Sequence, residues 1–119
     1  MLPGINIKSG LLRMEGKRDL YIRVLSEFYN NYRDIAEKIQ TGIENHNAEF
    51  VQRTAHTLKS LAGNIGAEEL QQTARTIETE ASTKASDDLV SIDKQIIKQL
   101  KNNLEQVFLL IRKILDAHC

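Results

Sequence analysis

One proline, one cysteine and no tryptophan occur in 119 residues, and aromatic residues make up only 5%. The lone cysteine, Cys119, is the last residue, so no internal disulfide can form and a reducing cytoplasm is the expected compartment. Pro3 is the only proline, and glycine is confined to positions 4, 10, 16, 42, 63 and 66, which leaves residues 17–41, 43–62 and 67–119 free of both helix breakers. A charge excess is also missing: 16 basic residues face 16 acidic ones, and the parts before and after position 60 carry only +2 and −2. That balance excludes nucleic-acid binding driven by phosphate neutralisation. The longest unbroken apolar run, Val107 to Ile111, is far short of the roughly 20 residues that cross a bilayer, so no direct membrane contact is expected. The segment after Met1 carries Pro3, Gly4 and Lys8 without an apolar stretch, so no cleaved leader is expected. Glycine-rich nucleotide loops and kinase motifs are absent, which excludes ATP binding by this chain.

What is present is helical rhythm. Hydrophobic residues form 41% of the chain, enough for the core of one domain of this size. Tyr21, Val24, Leu25, Phe28, Tyr32, Ile35, Ile39 and Ile43 recur at steps of three and four and predict one long helix over residues 17–45. Val51, Thr54, Ala55, Leu58, Leu61, Ala62 and Ile65 predict a second over 48–63, with Asn47 as its N-cap. Leu70, Ala74, Ile77 and Ala81 mark a third over 67–82, whose first turn holds Glu68 and Glu69. Leu89, Ile92, Ile96, Leu100, Leu104, Val107, Ile111 and Ile114 mark a fourth over 87–117, with Ser86 as N-cap and Asp87 and Asp88 in the first turn. A short amphipathic helix over 8–14, carrying Leu11, Leu12 and Met14, would sit on these as a lid. No window alternates with period two. Short links between long amphipathic helices make neighbours antiparallel, so the expected fold is all-α: an up-down-up-down four-helix bundle with a short extra N-terminal helix, forming a single domain over 1–119.

Of the three histidines, His46 lies in the polar loop Glu44-Asn45-His46-Asn47 and His118 at the C-terminal end, both as solvated bystanders. His56 differs. At 100° per residue it points roughly 150° from the apolar stripe of its helix, mid-helix and toward water. Gln52, Lys59, Ser60 and Gly63 share its face, and the small residues on its C-terminal side leave room for a macromolecule to approach. Lys59, one turn away, supplies a cation beside whatever the imidazole carries. A lone exposed histidine is by itself ordinary, and a glycine near a helix end is usually a cap.

The run His56-Thr57-Leu58-Lys59-Ser60-Leu61-Ala62-Gly63-Asn64-Ile65-Gly66-Ala67 resembles the signature of histidine-containing phosphotransfer (HPt) domains: His-x-Leu-Lys-Gly-x-Ala, then a glycine followed by a small residue. His56, Leu58, Lys59, Ala62, Gly66 and Ala67 fall into that pattern, and Leu70 follows at the expected apolar position. Leu2-Pro3-Gly4-Ile5, Gly10-Leu11 and Arg18-Asp19-Leu20-Tyr21 are similar to the start of HPt domains that end hybrid sensor kinases, so the resemblance spans essentially the whole chain. Ser60 departs from the pattern, where the family often has glycine, but serine is small enough to keep the approach open.

The resemblance implies a phosphocarrier in a two-component phosphorelay. His56 would take a phosphoryl group from a receiver-domain aspartate and pass it to another receiver. Lys59 would offset phosphoryl charge, and Glu78 is carried over as the side chain that orients the imidazole. Gln52, Arg53, Ser60 and Gly63 would rim the docking face. The implied partners are receiver domains of response regulators and of a hybrid histidine kinase. No cofactor or metal of its own is expected, with Mg2+ residing in the partner receiver. His46 and Glu49 form an i, i+3 pair, but in reverse order to the Glu-x-x-His of di-iron bundles and unrepeated. A chain self-sufficient for a four-helix core is expected to be a monomer. The competing reading is a non-catalytic helical docking module in which His56 is silent.

Overall fold

The computed structural model describes residues 4–83, 92 and 94–117. Six helices follow in order: α1 (Ile7–Arg13), α2 (Arg18–Asn31), α3 (Ile35–Glu44), α4 (Ala48–Ile65), α5 (Glu68–Thr83) and α6 (Lys94–Ala117), with no strand among the described residues. The protein is all-helical.

The stretch expected as one helix over 17–45 is two. Helix α2 stops at Asn31, the chain turns over residues 32–34, and α3 resumes at Ile35. Neither glycine nor proline causes the break. Asn30, Asn31 and Asp34 are poor helix formers whose side chains compete with the backbone ladder. Burial keeps its phase across the turn, since Leu25 and Phe28 before it and Ile35 and Ile39 after it are all buried. The apolar stripe is therefore a property of the packing and outlasts the local helix.

Asn47 caps α4 as its sequence predicts, its side-chain oxygen accepting from Phe50 N at 3.1 Å. His46 is more than a loop bystander: its φ of +55° places it in the left-handed region where α3 turns into α4. Asn47 N donates to Gly42 O across this turn at 2.9 Å. The far end of α4 is closed by Gly66 at φ +84°, with Ala67 N donating to Ala62 O at 2.8 Å. The N-cap expected at Ser86, the first turn at Asp87 and Asp88, and Leu89, His118 and Cys119 lie outside the described residues. Ile92, expected on the last helix, is buried but precedes α6.

The core is built from Leu25, Ile39, Val51, Leu58, Leu70, Ile77, Leu100, Val107 and Ile111, each essentially without solvent exposure. Burying each such side chain contributes about 1.5–3 kcal/mol. Helix α4 packs most extensively on α5. Small side chains allow this: Ala55, Ala62, Ala67 and Ala74 are buried, and the Gln71 side chain fills the space beside Gly63 where a Cβ would stand. Between α5 and α6 the buried Thr73 hydroxyl donates to Asn103 Oδ1 at 2.6 Å.

The N-terminal segment hooks onto the α4–α5 turn. Asn6 N donates to Gly66 O at 2.7 Å. A Cβ on Gly10 would stand 2.6 Å from the Ile65 carbonyl oxygen and from the Tyr21 ring, so glycine is what lets α1 lie this close. The Tyr21 hydroxyl donates to Ile65 O at 2.8 Å in the buried interior. Burial pushes the Tyr21 phenol up to about 12. Tyr21→Phe should lose about 1–2 kcal/mol, read as a lower urea midpoint at unchanged slope. An unchanged midpoint would show that this bond contributes nothing.

Candidate functional site

His56 lies in the middle of α4. Val51, Ala55, Leu58 and Ala62 turn into the core and fix the rotation of the helix, which sends the His56 side chain outward at 60% exposure. From α5, Glu78 reaches back to it. Its neighbour Ile77 is fully buried, and that anchor brings Glu78 up at the α4–α5 seam.

The Glu78 carboxylate bridges two groups of α4. Oε2 lies 2.6 Å from His56 Nδ1, and Oε1 accepts from Lys59 Nζ at 2.6 Å. Glu78 and Lys59 side chains are only 18% and 24% exposed, so this is a half-buried contact rather than a solvated surface pair. The Lys59 hydrogen bond, against desolvation and with help from His56, holds the Glu78 carboxyl below its ordinary value. An ionised carboxylate can only accept, so Nδ1 carries a proton, and in the neutral ring Nε2 is the nitrogen with the lone pair. Among the described residues Nε2 has no partner. The arrangement is an oriented nitrogen nucleophile open to solvent, with a carboxylate behind it and a cation one turn away.

His56, Lys59 and Glu78 are thus brought together. Lys59 touches Glu78 rather than the imidazole, so its effect on the ring passes partly through the carboxylate. Gln52, Arg53 and Ser60 are exposed on α4, and their side chains make no hydrogen bond among the described residues. Gly63 does not belong to the rim: it is buried under Gln71, and its smallness serves the α4–α5 approach. The sequence pattern of small residues after His56 carries both roles, and only packing separates them. Gln71 is invisible to the sequence pattern, because an exposed-looking glutamine in a helix gives no signal of the glycine it covers.

Two grooves of about 500 Å³ each run along α6, and neither includes His56, Lys59 or Glu78. The imidazole stands on an open surface that suits a macromolecular partner rather than an enclosed small substrate. The family model described as Hpt domain matches residues 23–108, most of the chain.

The chain belongs to the Hpt domain family.

Solved structures agree in fold. The HPt domain of a sensor hybrid histidine kinase from Shewanella is 21% identical, with a TM-score of 0.83 over 98% of this chain and 97% of that one. Histidine-containing phosphotransfer protein B from Pseudomonas aeruginosa PAO1 is 18% identical, with a TM-score of 0.76 over 95% of each chain. Comparison with curated proteins gives no match. As an Hpt domain the chain is a phosphocarrier of a phosphorelay, and receiver domains are its class of partner. No helix among the described residues is long and apolar enough to cross a membrane.

Proposed function

We propose that His56 is the residue of this Hpt domain that carries the phosphoryl group. The observation that supports it is the Glu78 bridge, which occupies Nδ1 and leaves Nε2 as the ring nitrogen turned to solvent. In loading, the Nε2 lone pair forms a bond to phosphorus while the bond from phosphorus to a receiver aspartate breaks, and that electron pair stays on the aspartate oxygen. Discharge to a second receiver is the reverse with a new aspartate. Phosphoryl transfer depends on positioning and on offsetting charge at the equatorial oxygens. Lys59 stands one turn from His56 and supplies positive charge on that side. Glu78 positions the imidazole through Nδ1 and steadies the ring cation formed on loading.

The remaining parts of the reading rest on the same surface. Exposed Gln52, Arg53 and Ser60 form the docking rim around His56. Magnesium and the acceptor aspartate belong to the receiver, and this chain contributes no cofactor. The topology is an up-down-up-down four-helix bundle, with α2 and α3 together as its first arm and α1 as the extra N-terminal helix. Overall extents of 46 × 23 × 23 Å support it, because helices about 10–12 Å across fit two by two in the short directions. One such bundle buries its own core, so the working state is a monomeric domain of 1–119 in the cytoplasm, free or at the end of a hybrid kinase.

The test is phosphorylation of the wild-type chain by a receiver domain charged with acetyl phosphate, followed by peptide mapping. The expected product is one acid-labile, base-stable phosphate on His56. Phosphate on His46 or His118 instead, or none at all, would sink the assignment.

A further inference from the structure

The two grooves along α6 share Lys101 and form one seam against α3 and the turn before it. From Lys94 to Arg112 the seam runs about 27 Å, at 1.5 Å per helical residue. The turn over residues 32–34 breaks the first arm, and α3 then packs more on α4 than on α6, which leaves α6 uncovered. Helix α5 also packs on both α4 and α6, so the α3–α6 seam lies across the bundle from the α4–α5 seam and His56. Its floor is apolar, with Ile97, Leu104 and Phe108 from α6 and Ala36 and Ile43 from α3. At the lip Leu109 is 56% exposed, the one large hydrophobic side chain of α6 left so open among the described residues.

The walls of this groove carry opposite charge. Lys94, Lys98 and Lys101 stand on the α6 side, and Glu37 and Glu44 on the α3 side. Lys101 donates to Gln40 Oε1 at 3.0 Å. Among the described residues none of these lysines and neither glutamate is in an ion pair. The facing charges therefore stand apart, with the apolar floor between them. Toward Arg112 the lining is mixed, with Arg33 and Glu105 beside it. We propose that the α3–α6 groove docks an amphipathic helix of a partner protein, with its apolar stripe on this floor, an acidic flank along α6 and a basic flank along α3.

The chemistry of the groove selects this occupant over others. A helix laid in a groove anchors through residues three and four apart, which suits a long floor between two helices. A nucleic acid or an anionic membrane would meet the Glu37 and Glu44 wall and be repelled. A second copy of this chain has no such helix to offer, because the apolar stripes of α3, α4, α5 and α6 are already turned into its own core. Only a helix with both signs of charge, one on each flank, satisfies both walls. Rim charges of this kind select the partner and its orientation more than they add affinity. A helix held here leaves the His56 face open, so the domain stays tethered while receivers come and go at the imidazole. The inference goes beyond the carrier reading and does not depend on it.

The test titrates the whole chain with a stapled helical peptide of about 18 residues, the length that spans the seam. Leucines recur along it at steps of three and four, glutamates line one flank and lysines the other. Heteronuclear NMR should show the amides of Gln40, Lys98, Lys101 and Leu109 shifting and that of His56 unmoved. A peptide with lysines on both flanks should bind wild type about tenfold more weakly. The triple variant Lys94→Glu, Lys98→Glu, Lys101→Glu should invert that preference. Exchanging the glutamate and lysine flanks should turn the helix end for end, because half a rotation about the normal to the groove restores both pairings. A nitroxide on the peptide N-terminus reads this, broadening amides near Lys98 with one peptide and near Leu109 with the other. Equal affinity of wild type for the two flank patterns would reduce the seam to an unselective apolar strip and overturn the proposal. So would the absence of shifts, or shifts centred on His56. The comparison of peptides on wild type decides even where the triple variant does not fold, and no step of it requires phosphate on His56.

Discussion

His56→Gln should take up no transferable phosphate from a charged receiver and should remain folded. The chemical half of that expectation follows from the amide. A glutamine nitrogen donates its lone pair into the carbonyl and offers no nucleophile, so the loss should be complete and labelling should fall to background. The structural half follows from exposure. His56 is 60% exposed and none of its side chain completes the core, so substitution should change stability by less than about 0.5 kcal/mol. In a domain of this size that is a shift in Tm of about 3 °C or less. The new amide can still donate to Glu78, which spares the carboxylate an unpaired face. A variant that unfolds would mean that the imidazole supports the bundle. A folded variant that still carries acid-labile phosphate would place the carrier elsewhere.

Much of this was legible because helical period and burial share one cause. The stripes on α4 and α5 reappear as Val51, Ala55, Leu58 and Ala62 packed against Leu70, Ala74 and Ile77. The outward direction of His56 follows from the same rotation arithmetic. The turn over residues 32–34 was hidden because the apolar spacing runs through it unbroken, while the local signal lay in Asn30, Asn31 and Asp34, which weaken a helix without announcing a stop. The contact of Glu78 with His56 could be expected only from resemblance, and its contact with Lys59 from neither resemblance nor period. Each depends on how closely α4 approaches α5, and no period encodes that distance. The approach is set by Gly63 under Gln71 and by the turn at Gly66. Tyr21 reads from its spacing as one more core aromatic, and the partner of its hydroxyl is a backbone carbonyl 44 positions away.

Gly66→Ala should be far more damaging than Gly16→Ala, although both replace a glycine of positive φ. Gly66 has φ +84° and Gly16 φ +75°, so each substitution asks an L-residue to adopt a left-handed backbone at about 1–2 kcal/mol. Beyond that the sites differ. Nothing stands within 4 Å of a Cβ at Gly16. A Cβ at Gly66 would overlap the Asn6 carbonyl oxygen and stand 3.1 Å from Gly10 N. Both obstacles are backbone atoms in a hydrogen-bonded hook, with Asn6 N on Gly66 O and Gly10 N on Asn6 O, so no rotamer change relieves them. Overpacking of this kind adds about 1–3 kcal/mol. Urea unfolding should therefore place Gly66→Ala about 2–5 kcal/mol below wild type and Gly16→Ala about 1–2 kcal/mol below it. Equal losses would show that the N-terminal segment is not clamped on the α4–α5 turn in solution. If the clamp instead yields by releasing α1, the loss at Gly66 shrinks and the amides of Asn6 and Gly10 lose their protection from hydrogen exchange. The backbone bonds they make in the intact hook would then be the first to open.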